Sequence, residues 1–276
     1  MKLNIKTLIL LALFTFNTSV SYAHISVTCS LFPVYDFARS ITGTFADVKL
    51  LLPPGTEPHE YEPSPRDIKA LNDSDVFIFT GAEMEHWAVK ISQSLTNTRI
   101  IDASEGITLT DNDPHVWLDL SLAQKMVMNI LRGLCKADSD NAETYTRNAE
   151  SLCAGLGELN GKFTAMKKDR ALIFAGEFSA GYFMRRYGFD YVSAYDGENE
   201  PSVKRMAEII RHIQAHKDRY IFTDIGELSS VAREISAQTG TEILTFGTGH
   251  MILDNNITFL QIMNDNYNHI TEAMND

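Results

Sequence analysis

Two runs of short apolar segments alternating with amphipathic ones, separated by a long stretch without proline, restrict this chain more than any other feature. In the first run "ISVTCSLF", "ADVKLLLP", "DVFIFTG" and "TRIIDAS" read as strands. Between them "PVYDFARSIT", "SPRDIKALNDS" and "EMEHWAVKISQSL" read as helices, the second capped by Ser64 with Pro65 at its first position. A further helix, "SLAQKMVMNILRGLCKA", carries Ser121 as its expected cap. Apolar strands separated by amphipathic helices imply a parallel sheet covered on both faces. Residues 141–168, "NAETYTRNAESLCAGLGELNGKFTAMKK", are helical with no stop signal. At the helical rise that is roughly 42 Å, long for a globular domain and suited to a rod. Alternation then restarts, with strands "RALIFAG", "DYVSAYD", "RYIFTD" and "TEILTFG" and a last helix "NNITFLQIMNDNYNHITEAM". The expected fold class is α/β: two lobes with mostly parallel sheets, residues 24–140 and 169–276, joined by one long rigid helix over 141–168.

The first 23 residues read as an export leader. Lys2 and Lys6 give a basic start, "LILLALFTF" is a short apolar core, and Ser21-Tyr22-Ala23 fits a small-x-small cleavage site. The apolar run is too short to span a bilayer comfortably. Cleavage after Ala23 is expected, giving a periplasmic chain that starts near His24. No cysteine stands at the cleavage point, so no membrane anchor of the lipoprotein kind is expected.

The formal net charge is −12, and loss of the two leader lysines makes it more negative. Such a surface disfavours nucleic acid and anionic lipid. Three cysteines, Cys29, Cys135 and Cys153, cannot all pair within one chain. Cys29 reads as a buried core thiol. Cys135 and Cys153 flank a turn between helical segments and are candidates for a disulfide in an oxidising compartment, worth roughly 3 kcal/mol if formed.

In α/β sheets ligands gather at the carboxyl ends of strands. His59, His115, Glu177, Asp224 and His250 all follow strands. His59 lies in a proline-rich loop, "LLPPGTEPHEYEPSPRDIKAL", whose fixed φ angles restrict it before anything binds. Taken singly, a loop histidine is usually just exposed, and a glutamate after a strand is often a helix cap. Taken together, histidines in one half and a carboxylate plus a histidine in the other are ligand types for zinc, manganese or iron.

The segments "PPGTEPHEYEPSPRDIKALNDSDVFIFTGAEMEHW", "DPHVWLDL", "YFMRRYGF" and "ENEPSVKRMAEII" resemble the signatures of the zinc and manganese solute-binding proteins of bacterial ABC transporters, the cluster A-I or metal-binding lipoprotein and adhesin family. The resemblance covers essentially the whole chain after the leader. It implies two α/β lobes joined by a single long helix, one metal ion held between the lobes by four side chains, and delivery to a membrane ABC permease. Carried over by position, His59 is the first ligand and His115 the second. The third lies five residues before a tyrosine, here Tyr182, and falls on Glu177. Zinc-type members usually carry histidine there, manganese and iron types glutamate. The fourth is an acid in the family. The gap-free position here is His250, a slip of one to three residues gives Gly247, and Asp254 or a water are the alternatives. Three histidines and a glutamate favour Zn2+ first, with Mn2+ or Fe2+ second, since hard cations prefer more oxygen donors.

The expected function is therefore periplasmic capture of a divalent transition metal by a monomer, with no enzymatic activity. The alternative is a zinc-dependent metallohydrolase, which would need an open coordination position and a general base. There is no Gly-x-Ser-x-Gly elbow, phosphate loop or His-Glu-x-x-His helix. Surface adhesion, a third reading, would need an anchor. Other histidines compete with the site. His212 and His216 stand at i and i+4 on one helix but read as a solvated face, with no acid partner evident. His86 and His269 read as surface helix residues. Trp117, Tyr61 and Tyr182 read as packing around the site.

Overall fold

The computed structural model describes residues 24–59, 61–81, 83–176, 178–195, 201–225, 229–254 and 256–275. The expected leader and Glu177 lie outside them. The first sheet is formed by β1 (Ile25–Cys29), β2 (Ala46–Leu50), β3 (Val76–Phe79) and β4 (Arg99–Asp102) in the order β2-β1-β3-β4. The second is formed by β5 (Leu172–Phe174), β6 (Tyr191–Ser193), β7 (Tyr220–Thr223) and β8 (Glu242–Thr245) in the order β6-β5-β7-β8. Every strand pairing is parallel. The two halves thus repeat one topology, and each reverses its winding direction beside its first strand, where α/β sheets open a crevice.

The helices are α1 (Phe32–Thr42), α2 (Pro65–Asn72), α3 (His86–Ser92), α4 (Leu120–Ala137), α5 (Ala142–Ala165), α6 (Gly181–Tyr187), α7 (Val203–His216), α8 (Ser230–Thr239) and α9 (Phe259–Met274). Side chains cap most of the longer ones. Ser64 and Asp67 form a reciprocal capping box on α2, and Thr258 and Gln261 do the same on α9. The cap of α4 differs from expectation. Asp119, not Ser121, is the cap residue, and its carboxylate accepts from the Ser121 N–H at 2.8 Å. An aspartate two residues before that free amide competes successfully with a serine already inside the helix.

Helix α5 is the long element, 24 residues from Ala142 to Ala165. A 3-10 turn over Ser139–Asn141 precedes it, and Met166 turns extended after it (ψ 144°). Its buried side chains are Tyr145, Ala149, Leu152, Leu156, Leu159 and Phe163. Spaced by three or four residues, they form one apolar seam. That seam packs on α1, α4 and α9. Phe163 meets Phe183 of α6 at 4.8 Å and Tyr267 of α9 at 5.5 Å, both edge-on. One hydrophobic core therefore runs from the first lobe through α5 into the second.

The α4–α5 pair also corrects the disulfide expectation. All three cysteines are free. The helices run antiparallel, and Cys135 lies against the Ala142 carbonyl while Cys153 lies against the Gln124 carbonyl. Eleven residues along a helix axis, about 16 Å, thus separate the two thiols, beyond any disulfide.

Candidate metal centre

The two lobes meet at the carboxyl ends of their strands, and several hydrogen bonds cross there. The indole N–H of Trp117 donates to the Thr248 carbonyl. The Thr110 N–H donates to the Tyr182 hydroxyl at 2.9 Å, and the Gly55 N–H donates to the Ile252 carbonyl at 2.9 Å. Arg185 pairs with Asp113 and Asp111. On the far side Asp36 accepts from the Phe259 N–H at 2.8 Å, and Arg39 reaches the Ile257 carbonyl.

His59 sits in the loop between β2 and α2. The loop is held by more than its prolines. Glu57 accepts from the His59 N–H at 3.1 Å, the Tyr61 hydroxyl donates to Asp67 of the α2 capping box, and the Tyr61 ring packs on Trp87. The imidazole is thus presented from a preformed turn.

His115 is buried and follows Asp113 in an Asx-type turn. Asp113 accepts from both the backbone N–H and the ring Nδ1 of His115, each at 3.0 Å. A carboxylate that is ionised can only accept, so Nδ1 carries the proton and Nε2 presents a lone pair. That Nε2 is buried and bonded to nothing. Burial holds the His115 pKa below the usual histidine range. The Asp113 hydrogen bond opposes this, and the neighbouring His250 and His59 add to the depression. Burial also acts to raise the Asp113 pKa, but its bonds to His115 and the nearby Arg185 outweigh that and hold it low.

His250 comes from the loop after β8. Gly249 has φ +76°, a conformation that side chains other than glycine's avoid, and it lets the chain turn the imidazole inward. Thr248 donates its hydroxyl proton to Asp224 at 2.8 Å, so its oxygen accepts from His250 Nδ1. The relay His250–Thr248–Asp224 again leaves Nε2 free as an acceptor. Burial pushes the Asp224 carboxyl up, against the pull of His250.

The three rings converge. His115 lies 5.8 Å from His59 and 5.6 Å from His250, centroid to centroid. Their ligand atoms are not all within 4.8 Å of one another. A tetrahedral zinc with N–Zn near 2.0–2.1 Å holds its donors roughly 3.4 Å apart. Glu57 Oε2 lies 4.0 Å from His250 Nε2. Asp254, an alternative for the fourth position, is exposed, and its Oδ1 accepts from the backbone and side-chain nitrogens of Asn256. Sequence reasoning did not single out Glu57, Asp113 or Thr248. Asp113 was readable, because Asp-Pro-His lets an aspartate fold back on the following imidazole. His269, expected at the surface, is half-buried and donates from Nδ1 to the Thr245 carbonyl at 2.7 Å.

The sequence model described as "ZnuA: Zinc-uptake complex component A periplasmic" matches residues 27–273. The chain belongs to this family. It is therefore a binding component of a zinc uptake system and not an enzyme. The high-affinity zinc uptake system protein ZnuA of Bacillus subtilis is 28% identical over 277 residues, covering 90% of this chain and 87% of that protein. The zinc-binding protein AdcA of Streptococcus pyogenes is 29% identical over 252 residues, and there the match spans about half of the relative, 49%. Among solved structures, the Zn(II)-bound ZnuA-like domain of Streptococcus pneumoniae AdcA superposes with a TM-score of 0.80 at 25% identity, covering 92% of this chain and all of that one. The metal-dependent lipoprotein YcdH of Bacillus subtilis gives a TM-score of 0.80 at 28% identity, covering 90% and 99%.

Proposed function

We propose that the chain captures one zinc ion between its lobes through His59, His115 and His250, with Glu177 as the fourth ligand, and hands it to an ABC permease in the membrane. The observation that carries this reading is the buried, unpartnered Nε2 of His115 with two further imidazoles beside it. A buried polar atom without a partner is costly, and a metal ion removes that cost. Three neutral imidazoles, two of them fixed by outer hydrogen bonds to the Nδ1-protonated tautomer, favour zinc over manganese or iron. The family's description as periplasmic supports export, with the leader removed after Ala23.

His59→Ala tests the reading. It should weaken zinc binding at least about tenfold, or 1.4 kcal/mol, while leaving the fold intact, because His59 stands on a surface loop. Unchanged affinity in a competition titration would remove His59 from the site.

A further inference from the structure

A second group of metal-ligating side chains lies away from the lobe interface. Helix α7 ends at His216, and Lys217 then adopts the left-handed conformation (φ 56°, ψ 40°). This turn folds the chain back, so Asp218 returns to the helix face that carries His212 and His216. The two imidazoles stack at 4.1 Å with 28° between planes. His212 Nε2 is 3.8 Å from Asp218 Oδ2. Among the described residues this is the only group of three whose ligand atoms all fall within 4.8 Å of one another.

Two details go beyond proximity. His216 Nδ1 lies 2.9 Å from the His212 carbonyl, which can only accept. The proton is therefore on Nδ1, and Nε2 is left as a lone pair. The Asp218 side chain is only 9% exposed, and its Oδ2 is buried with no hydrogen-bond partner. A solvated histidine pair would not account for a buried carboxylate oxygen left unpaired, whereas a cation between the three groups would. Arg170 lies close enough to act on Asp218, so the local field opposes tight cation binding.

We propose that His212, His216 and Asp218 form a second, weaker site for a transition-metal ion of the zinc, copper(II) or nickel(II) kind. Two nitrogens and one oxygen, with His216 open to solvent, leave positions for water and suit these ions rather than calcium or magnesium. Helix α7 runs opposite to the strands it covers, so its C-terminus lies at the pole of the second lobe away from His250. The second site is thus separate from the cleft and acts independently of it.

Equilibrium dialysis of the full exported chain against zinc alone tests this, with bound metal measured by elemental analysis. The wild type should take up two equivalents, the second at least about tenfold weaker than the first. His216→Ala, a change at an exposed position, should take up one equivalent with the tighter affinity unchanged. Asp218→Asn should weaken only the second equivalent, by about tenfold or more. Saturation of the wild type at one equivalent would overturn the proposal. So would a second equivalent that persists unchanged in both variants, since that ion would lie elsewhere.

Discussion

The indole nitrogen of Trp117 and the carbonyl of Thr248 are 2.7 Å apart, joined by a hydrogen bond across the boundary between the lobes. Trp117 is two residues from His115, and Thr248 is two residues from His250. The bond therefore fixes the spacing of two imidazoles that belong to different lobes. Trp117→Phe leaves a buried carbonyl without its donor, at a cost of about 1–3 kcal/mol in stability. It should also weaken zinc binding, because the spacing of His115 and His250 is no longer held. Chemical denaturation and zinc competition on one preparation would check both.

Asp113 and Thr248 set the tautomers of His115 and His250. Asp113→Ala should lower zinc affinity by roughly 10- to 100-fold without removing a ligand. Asp113→Asn should be milder, because an amide oxygen can still accept from Nδ1. Competition titrations of the two variants would show whether affinity ranks wild type, Asn, Ala.

Acid should release the metal. Imidazoles ligate only when neutral, so protons compete with zinc as pH falls below about 6.5, the ordinary histidine value. Burial lowers the pKa of His115, so it resists protonation further down than a free histidine. The same shift makes the metal-free fold less stable in acid. The unfolded chain takes up a proton near about pH 6.5 and the folded chain only below that, so stability is lost as pH falls through the gap. Zinc binding that stays flat to about pH 5 would point to a carboxylate-only site.

Glu85 should act in the opposite sense. Fully buried at the crevice of the first sheet, it accepts from the Thr80 N–H and the Ser30 hydroxyl, and its Oε2 has no partner. Burial pushes its pKa up to about 7, against those hydrogen bonds. The folded state holds a proton that the unfolded chain releases near pH 4.5, so folding takes up a proton and stability falls as pH rises from there to about 7. Glu85→Gln should remove that dependence and stabilise the protein at pH 8 by about 1–3 kcal/mol. Urea midpoints at pH 5.5 and pH 8 for both proteins would check it.

The thiols should stay free under oxidising conditions. Thiol titration of the denatured, unreduced protein should find three per chain, and reductant should leave the melting temperature unchanged.

Much of this was legible in the sequence, for identifiable reasons. The doubly repeated alternation revealed both sheets, because inner parallel strands such as Val76–Phe79 and Leu172–Phe174 are buried throughout and must be apolar. Ser64-Pro65 marked the start of α2 because capping is local chemistry. His59, His115 and His250 stood out by their places after strands and by their motifs. What escaped depends on three-dimensional register. The distance between Cys135 and Cys153 follows from how α4 and α5 run past each other. Asp218 joins His212 only because Lys217 turns left-handed, a conformation its residue type does not announce. Glu57 approaches His250 only because two loops from different lobes meet.

Anomalous diffraction at the zinc edge, from crystals of the zinc-loaded chain, would locate the ion among these side chains. A strong peak is expected between the lobes, bonded to a ring nitrogen of His59 and to Nε2 of His115 and His250 at about 2.0–2.1 Å. A sole peak away from these three imidazoles, or one in the cleft that leaves His115 Nε2 without a bond, would contradict it.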